Sequence, residues 1–148
     1  MIADSSGTLT VDNCTIAGNT IGGTIVASGG SLTNSLIYQP GVSSSFDTAT
    51  YVLANDISLL PPGATVNTIA DPKFVDPGNG DYHLQLSSPA IDYAGGLGGT
   101  DLDGYPRDVN LAAAPDAFGP RDLGAYERQT AFACDDQPDA LFCATFEP

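Results

Sequence analysis

The sequence predicts an all-β chain whose first half is a solenoid of short parallel strands, a parallel β-helix, followed by an irregular cap. Three observations carry this. First, 42% of the 148 residues are hydrophobic, chiefly Leu, Ile, Val and Ala, enough for one domain to bury a core. Second, 17 glycines and 11 prolines interrupt the chain, and no stretch joins helical periodicity to good helix formers, so helices should be rare. Third, a pattern recurs near the start. Gly7-Thr-Leu9-Thr-Val11-Asp-Asn13-Cys14-Thr-Ile16 is followed by Gly30-Ser-Leu32-Thr-Asn34-Ser35-Leu36-Ile37, so that Leu9 recurs at Leu32, Asn13 at Asn34 and Ile16 at Ile37. The leucine spacing is slightly longer than the other two, but all fall in the low twenties. Such a period without helices is the signature of stacked coils. Short strands at these spacings also suit a β-sandwich, the alternative fold.

Taken in order, residues 1–70 are expected to form terminal coils. Thr24 to Ala27 is a β-branched run between Gly22-Gly23 and Gly29-Gly30, as a strand between turns requires. Asn13 and Asn34 suit an inward bend, where a stacked amide ladder satisfies turn backbone, and Asn19 suits a turn cap. Exposed turn asparagines are the competing reading. Beyond Gln39 the coil pattern weakens: Tyr51 to Leu53 and Ile57 to Leu60 read as strands, and Pro61-Pro62-Gly63 as a turn.

Charge divides the chain. The net charge of −14 arises from 18 acidic residues against Lys73, Arg107, Arg121 and Arg128. Residues 1–70 contain no Lys, Arg, His or Glu and four Asp; all the basic residues follow. Such a balance excludes nucleic acid and anionic membrane as partners, and no apolar run is long enough for membrane insertion. No basic start followed by an apolar run opens the chain, so a secretory signal and the remainder of the parent β-helix are expected upstream.

Residues 71–129 read as a capping region. Tyr82, Leu84 and Leu86 alternate along one strand face, and Leu123 with Tyr126 is expected to cover the solenoid's open end. The intervening Asp-, Pro- and Gly-rich segments read as turns held by side-chain acceptors. Residues 130–148 form an acidic tail, in which Cys134 and Cys143 could close a loop of about ten residues, worth roughly 2.5–3 kcal/mol in the chain-entropy model. That disulfide would imply an oxidising compartment; two free thiols are the alternative. Cys14 reads as a small buried hydrophobe.

The coil phrases Asn13-Cys-Thr-Ile-Ala-Gly-Asn19-Thr and Leu32-Thr-Asn34-Ser-Leu-Ile resemble coils of right-handed parallel β-helix proteins. From residue 71 the order Asp71-Pro-Lys-Phe74-Val-Asp76-Pro-Gly-Asn-Gly80-Asp81-Tyr82-His83-Leu84, Ser88-Pro89-Ala90-Ile91-Asp92, Asp101-Leu-Asp103-Gly104-Tyr-Pro106-Arg107 and Asp122-Leu-Gly124-Ala-Tyr126-Glu127 resembles the C-terminal region of bacterial choice-of-anchor proteins, of polymorphic outer-membrane-like type. Tyr93 departs from that pattern, where a small residue and then Gly is usual. The resemblance implies an extracellular or cell-surface bacterial location. It implies a non-catalytic C-terminal segment of a secreted or cell-surface protein that adheres to surfaces or binds a polysaccharide or cell-surface glycan. Its alternative is a fragment of a carbohydrate-active enzyme, a polysaccharide lyase or glycoside hydrolase, with its active site upstream.

Candidate chemistry is sparse. Asp101-x-Asp103-Gly104, with Asp108, Asp122, Asp116 and Glu127, has the carboxylates and relieved turn that calcium uses, although no Glu stands at the twelfth position of an EF-hand loop. The competing role for these carboxylates is to hold turns and pair with Arg107 or Arg121. Residues 1–70 offer no Lys, Arg or His as a lyase base, and hydrolysis would need a facing pair such as Asp12 with Asp47. His83, the sole histidine, points away from the apolar face of its strand, an exposed structural position. Tyr38, Phe46 and Tyr51 are the candidate sugar-stacking residues, with core packing as the alternative.

Overall fold

The computed structural model describes residues 2–4, 9–19, 25–27, 29–38, 46–56, 60–131 and 136. The described structure is all-β. Strands β1 (Ile2–Asp4) and β4 (Ile25–Ala27) pair in parallel, and a second parallel sheet is built from β2 (Leu9–Asp12), β3 (Thr15–Ala17), β5 (Gly30–Tyr38), β6 (Thr48–Ala54) and β7 (Thr65–Ile69). Both β2 and β3 pair with β5, which pairs with β6, which pairs with β7. Among the described residues these sheets do not close into a helix. Strand β7 lies where the sequence showed no coil pattern, and the strand expected from Ile57 falls mostly outside the described residues.

The register explains the repeat and corrects part of it. Leu9 pairs with Gly30 and Val11 with Leu32, so the spacing from Asn13 to Asn34 governs β2 and β3 against β5, whereas the longer spacing from Leu9 to Leu32 is the one at which β1 meets β4, Ile2 beside Ile25. Flanking pairs set Asn13 beside Asn34 and Asn34 beside Tyr51. All three have positive φ: 51°, 48° and 54°. A left-handed residue inside a strand breaks the pleat's alternation, as a bulge does. Val11, Leu32 and Ala49 precede the bend; Cys14, Ile16, Ile37, Val52 and Ala54 follow it, and all join one apolar cluster.

The same bend turns Leu36 and Leu53 to the opposite face, where they join a second cluster with Phe74, Leu84, Ile91 and Leu123. The sheet is therefore apolar on both faces, as parallel sheets are. Side-chain bonds fix the bend: Asn34 Nδ2 donates to Asp12 Oδ1 (2.9 Å) and Cys14 N–H donates to Ser35 Oγ (3.1 Å). The expected amide stack is thus replaced by an asparagine-to-aspartate bond. Asn19 Nδ2 donates to Ala17 O (3.3 Å), a local turn contact.

Residues 71–131 pack on that second face. An antiparallel hairpin opens them, β8 (Phe74–Asp76) and β9 (Asp81–Leu84), joined by a 3-10 turn at Pro77–Asn79. The remainder is irregular. Its seam with the sheet is close: Gly124 N–H donates to Asn34 O (2.8 Å) and Ala125 N–H to Thr15 Oγ1 (3.0 Å). A Cβ on Gly124, whose φ is 97°, would lie 2.5 Å from Thr15 Oγ1 and 2.8 Å from Leu36 Cδ1, so glycine is required there. Leu123 accordingly packs on the sheet face that carries Leu36 and Leu53. No helix among the described residues is long and apolar enough to cross a membrane.

Candidate functional site

With almost no ladder to satisfy its backbone, the cap relies on carboxylates. Asp101 Oδ1 accepts the N–H groups of Asp103 (3.0 Å) and Tyr105 (2.8 Å), and its Oδ2 accepts that of Glu127 (3.1 Å). Glu127 accepts Val109 N–H (2.8 Å) and Asp122 N–H (3.1 Å). Asp122, fully buried, accepts Asp92 N–H (2.9 Å) and Arg128 N–H (2.7 Å). Asp92 Oδ2 accepts Leu111 N–H (3.0 Å). The chain from Asp101 through Glu127 and Asp122 to Asp92 ties four separate segments into one unit.

Burial dominates the electrostatics of this chain. It pushes Asp122 up to about 8, with the nearby Glu127 charge adding to the rise. It raises Glu127 and Asp92 as well. Asp108 goes the other way: burial alone would raise it, but Arg121 Nε at 2.8 Å and Gly98 N–H hold it below the ordinary range.

The carboxylates expected to gather on calcium are thus distributed. Asp101 and Asp122 hold backbone N–H groups, Asp108 pairs with Arg121, and Asp103 bonds His83. Asn110 occupies Asp116 (3.3 Å). Among the described residues no group of three or more His, Cys, Asp or Glu is placed to hold a metal. The turn role falls to Asp101, Asp122 and Glu127 and the arginine role to Asp108 with Arg121, whereas Arg107 serves the carbonyls of Ala125 (2.7 Å) and Thr100 (3.3 Å), and Arg128 those of Leu84 and Thr130. Of the possible hydrolase pair, Asp12 is bonded to Thr33 and Asn34, and Asp47 to Gly30 N–H.

The aromatic expectation needs correction. Phe46 is 3% exposed inside the first apolar cluster, so its ring is core and not a stacking platform. Tyr38 meets Phe74 edge to face at 6.2 Å, and Tyr51 tilts against Phe118 at 5.8 Å. The three do not share one surface. Cys134 and Cys143 lie outside the described residues.

The most site-like constellation surrounds His83. Asp81 and His83 alternate to the same face of β9, a spacing visible in the sequence. Asp103, from a separate turn, closes the clamp: Nδ1 lies 2.6 Å from Asp81 Oδ1 and Nε2 2.7 Å from Asp103 Oδ2. Burial works to lower this histidine, but the two carboxylate bonds outweigh it and raise it. With both ring nitrogens held against carboxylates, neither is turned toward a hydroxyl or thiol from which to take a proton. Tyr126 stacks on it at 4.2 Å with a 38° tilt, and the two rings border a pocket of about 200 Å³ with Tyr105, Asp103, Arg128 and Gln129. Sequence spacing gave no sign of Tyr105 or Tyr126 in this role, because turns and not a strand bring them there.

Comparison with known proteins finds no match among protein families, curated proteins or solved structures.

Proposed function

We propose that the chain is a non-catalytic terminal segment of a right-handed parallel β-helix, secreted or displayed on a bacterial cell surface, that adheres through glycan binding. The observation that carries this reading is the use of titratable groups in 71–129. Asp92, Asp101, Asp122 and Glu127 hold backbone N–H groups, and Asp108 and His83 are each engaged by side chains of opposite charge or by paired carboxylates. A general acid or base needs a group free to exchange a proton with a substrate, and these are committed to structure. Parallel pairing at one constant register from β2 and β3 to β5, with left-handed residues stacked at Asn13, Asn34 and Tyr51, supports a solenoid over an antiparallel sandwich. The order of four motifs across 71–127 supports the cell-surface location, and a net charge of −14 favours neutral over polyanionic sugars.

The test is to present one panel of immobilised neutral and acidic polysaccharides to the chain and to follow both retention and cleavage. Retention on neutral glycans with no new reducing ends or unsaturated uronates is expected. Turnover of any polysaccharide would overturn the non-catalytic reading in favour of the carbohydrate-active enzyme.

A further inference from the structure

Resting on the glycan-binding reading above, we propose that the pocket bordered by Tyr105, Tyr126 and the His83–Asp103 pair is the saccharide subsite, sized for one neutral sugar ring. Its volume of about 200 Å³ suits a single hexose. Tyr105 is 56% exposed, a large aromatic face held in the open by a turn: Asp101 Oδ1 accepts its backbone N–H and Asp101 N–H donates to its carbonyl. Such a rigid amphipathic ring offers contact area to sugar C–H groups at little entropic cost.

Polar groups converge on the same space. Asp103 uses Oδ2 on His83, and Gln129 uses Nε2 on the carbonyls of Pro106 and Glu127. Asp103 Oδ1, Gln129 Oε1 and the hydroxyls of Tyr105 and Tyr126 are the further polar atoms of residues that line the pocket, the groups we assign to a ligand's hydroxyls. An apolar-walled pocket with a few convergent polar groups is the ordinary form of a small-ligand site.

Charge turns away an anionic occupant. Asp81 and Asp103 flank the His83 ring, and the Arg128 guanidinium in the wall is paired with Asp136. An anion would meet the flanking carboxylates, which a neutral sugar does not oppose, and the choline arm of the test below separates a sugar from a cation.

Because the chain has one histidine, the His83 ring Cε1–H is a single-residue reporter of this pocket. The full chain is titrated by proton NMR with glucose, galactose, mannose and N-acetylglucosamine separately, and with choline as the cationic probe. A saturable shift of the His83 signal with at least one sugar and none with choline is expected. Tyr105→Ala should weaken it about tenfold, and Tyr105→Phe should retain most of the affinity, since the ring is kept. Retention on the glycan panel without a His83 shift, or undiminished by Tyr105→Ala, would sink this subsite and leave the glycan-binding reading standing. Absence of both retention and shift would sink both. A shift with choline alone would assign the pocket to cations and overturn the inference.

Discussion

The sheet of residues 9–70 and the cap of 71–131 solve the same problem in opposite ways. Every buried N–H and C=O needs a partner. In the sheet the neighbouring strand supplies it, and side chains are released to pack on both faces. In the cap, outside one hairpin and two isolated bridges, Asp92, Asp101, Asp122 and Glu127 supply it, and apolar packing is concentrated on the face that meets Leu36 and Leu53. The sheet tolerates a chain almost without charge. The cap needs acidic residues as acceptors for its N–H groups and arginines as donors to its carbonyls and to Asp108 and Asp136, which accounts physically for the uneven charge along the sequence.

This contrast can be broken at its seam. Leu53→Ala removes a fully buried side chain where both regions meet and should cost about 2–5 kcal/mol, read as a lowered midpoint in urea unfolding. Cap and sheet signals should fall together. Next in size, Asp122→Asn places one amide NH₂ where two N–H donors converge, so one of the Asp92 and Arg128 amides loses its acceptor, at about 1–3 kcal/mol.

The same residue gives the cap a pH dependence. A carboxyl raised from 3.8 to about 8 binds a proton in the folded state that the unfolded chain has released. Its contribution is fully present below the ordinary carboxylate range, declines as pH rises, and is lost through about pH 8. Thermal unfolding followed between about pH 5 and pH 9 should therefore show falling Tm in the wild type, with a shallower slope in Asp122→Asn.

A smaller effect is expected at His83. Its bonds to Asp81 and Asp103 are partly exposed, so His83→Gln should cost no more than about 1 kcal/mol. Since its pKa is raised, that difference should be present in acid and vanish as pH rises through the folded value. The smallest effect is predicted for calcium removal: EDTA should leave Tm unchanged, because Asp101, Asp108 and Asp122 already have protein partners. A calcium-dependent rise would restore the metal reading.

Legibility in the sequence follows the same division. Strands β2 and β5 were readable because apolar and asparagine positions repeat at a spacing in the low twenties, and β4 because a β-branched run lies between glycine pairs. Strand β7 was not, since Thr65 pairs with Thr50 across a shorter stretch of chain than the one that sets Leu36 beside Thr15, outside that period. The left-handed position at Tyr51 was hidden because a tyrosine gives no signal of positive φ, whereas Asn34 does. In the cap, the Asp-rich turns were visible, but not which N–H each carboxylate takes. Such partners lie far apart in the chain, as Asp92 does from Asp122, and no periodicity links them. That His83 faces away from the apolar side chains of its strand was legible; its partners were not, since Asp103 and Tyr126 are brought there by turns.

The claim that carboxylates hold the cap while the ladder holds the sheet is most directly tested by residue-resolved native-state hydrogen exchange on the wild type and Asp122→Asn. The amides of Asp92, Val109, Leu111 and Arg128 should be protected in the wild type and lose protection together in the variant. The amide of Leu36, bonded to Cys14 O within the sheet, should keep its protection. Fast exchange of the cap amides in the wild type, or equal loss at Leu36 in the variant, would contradict it.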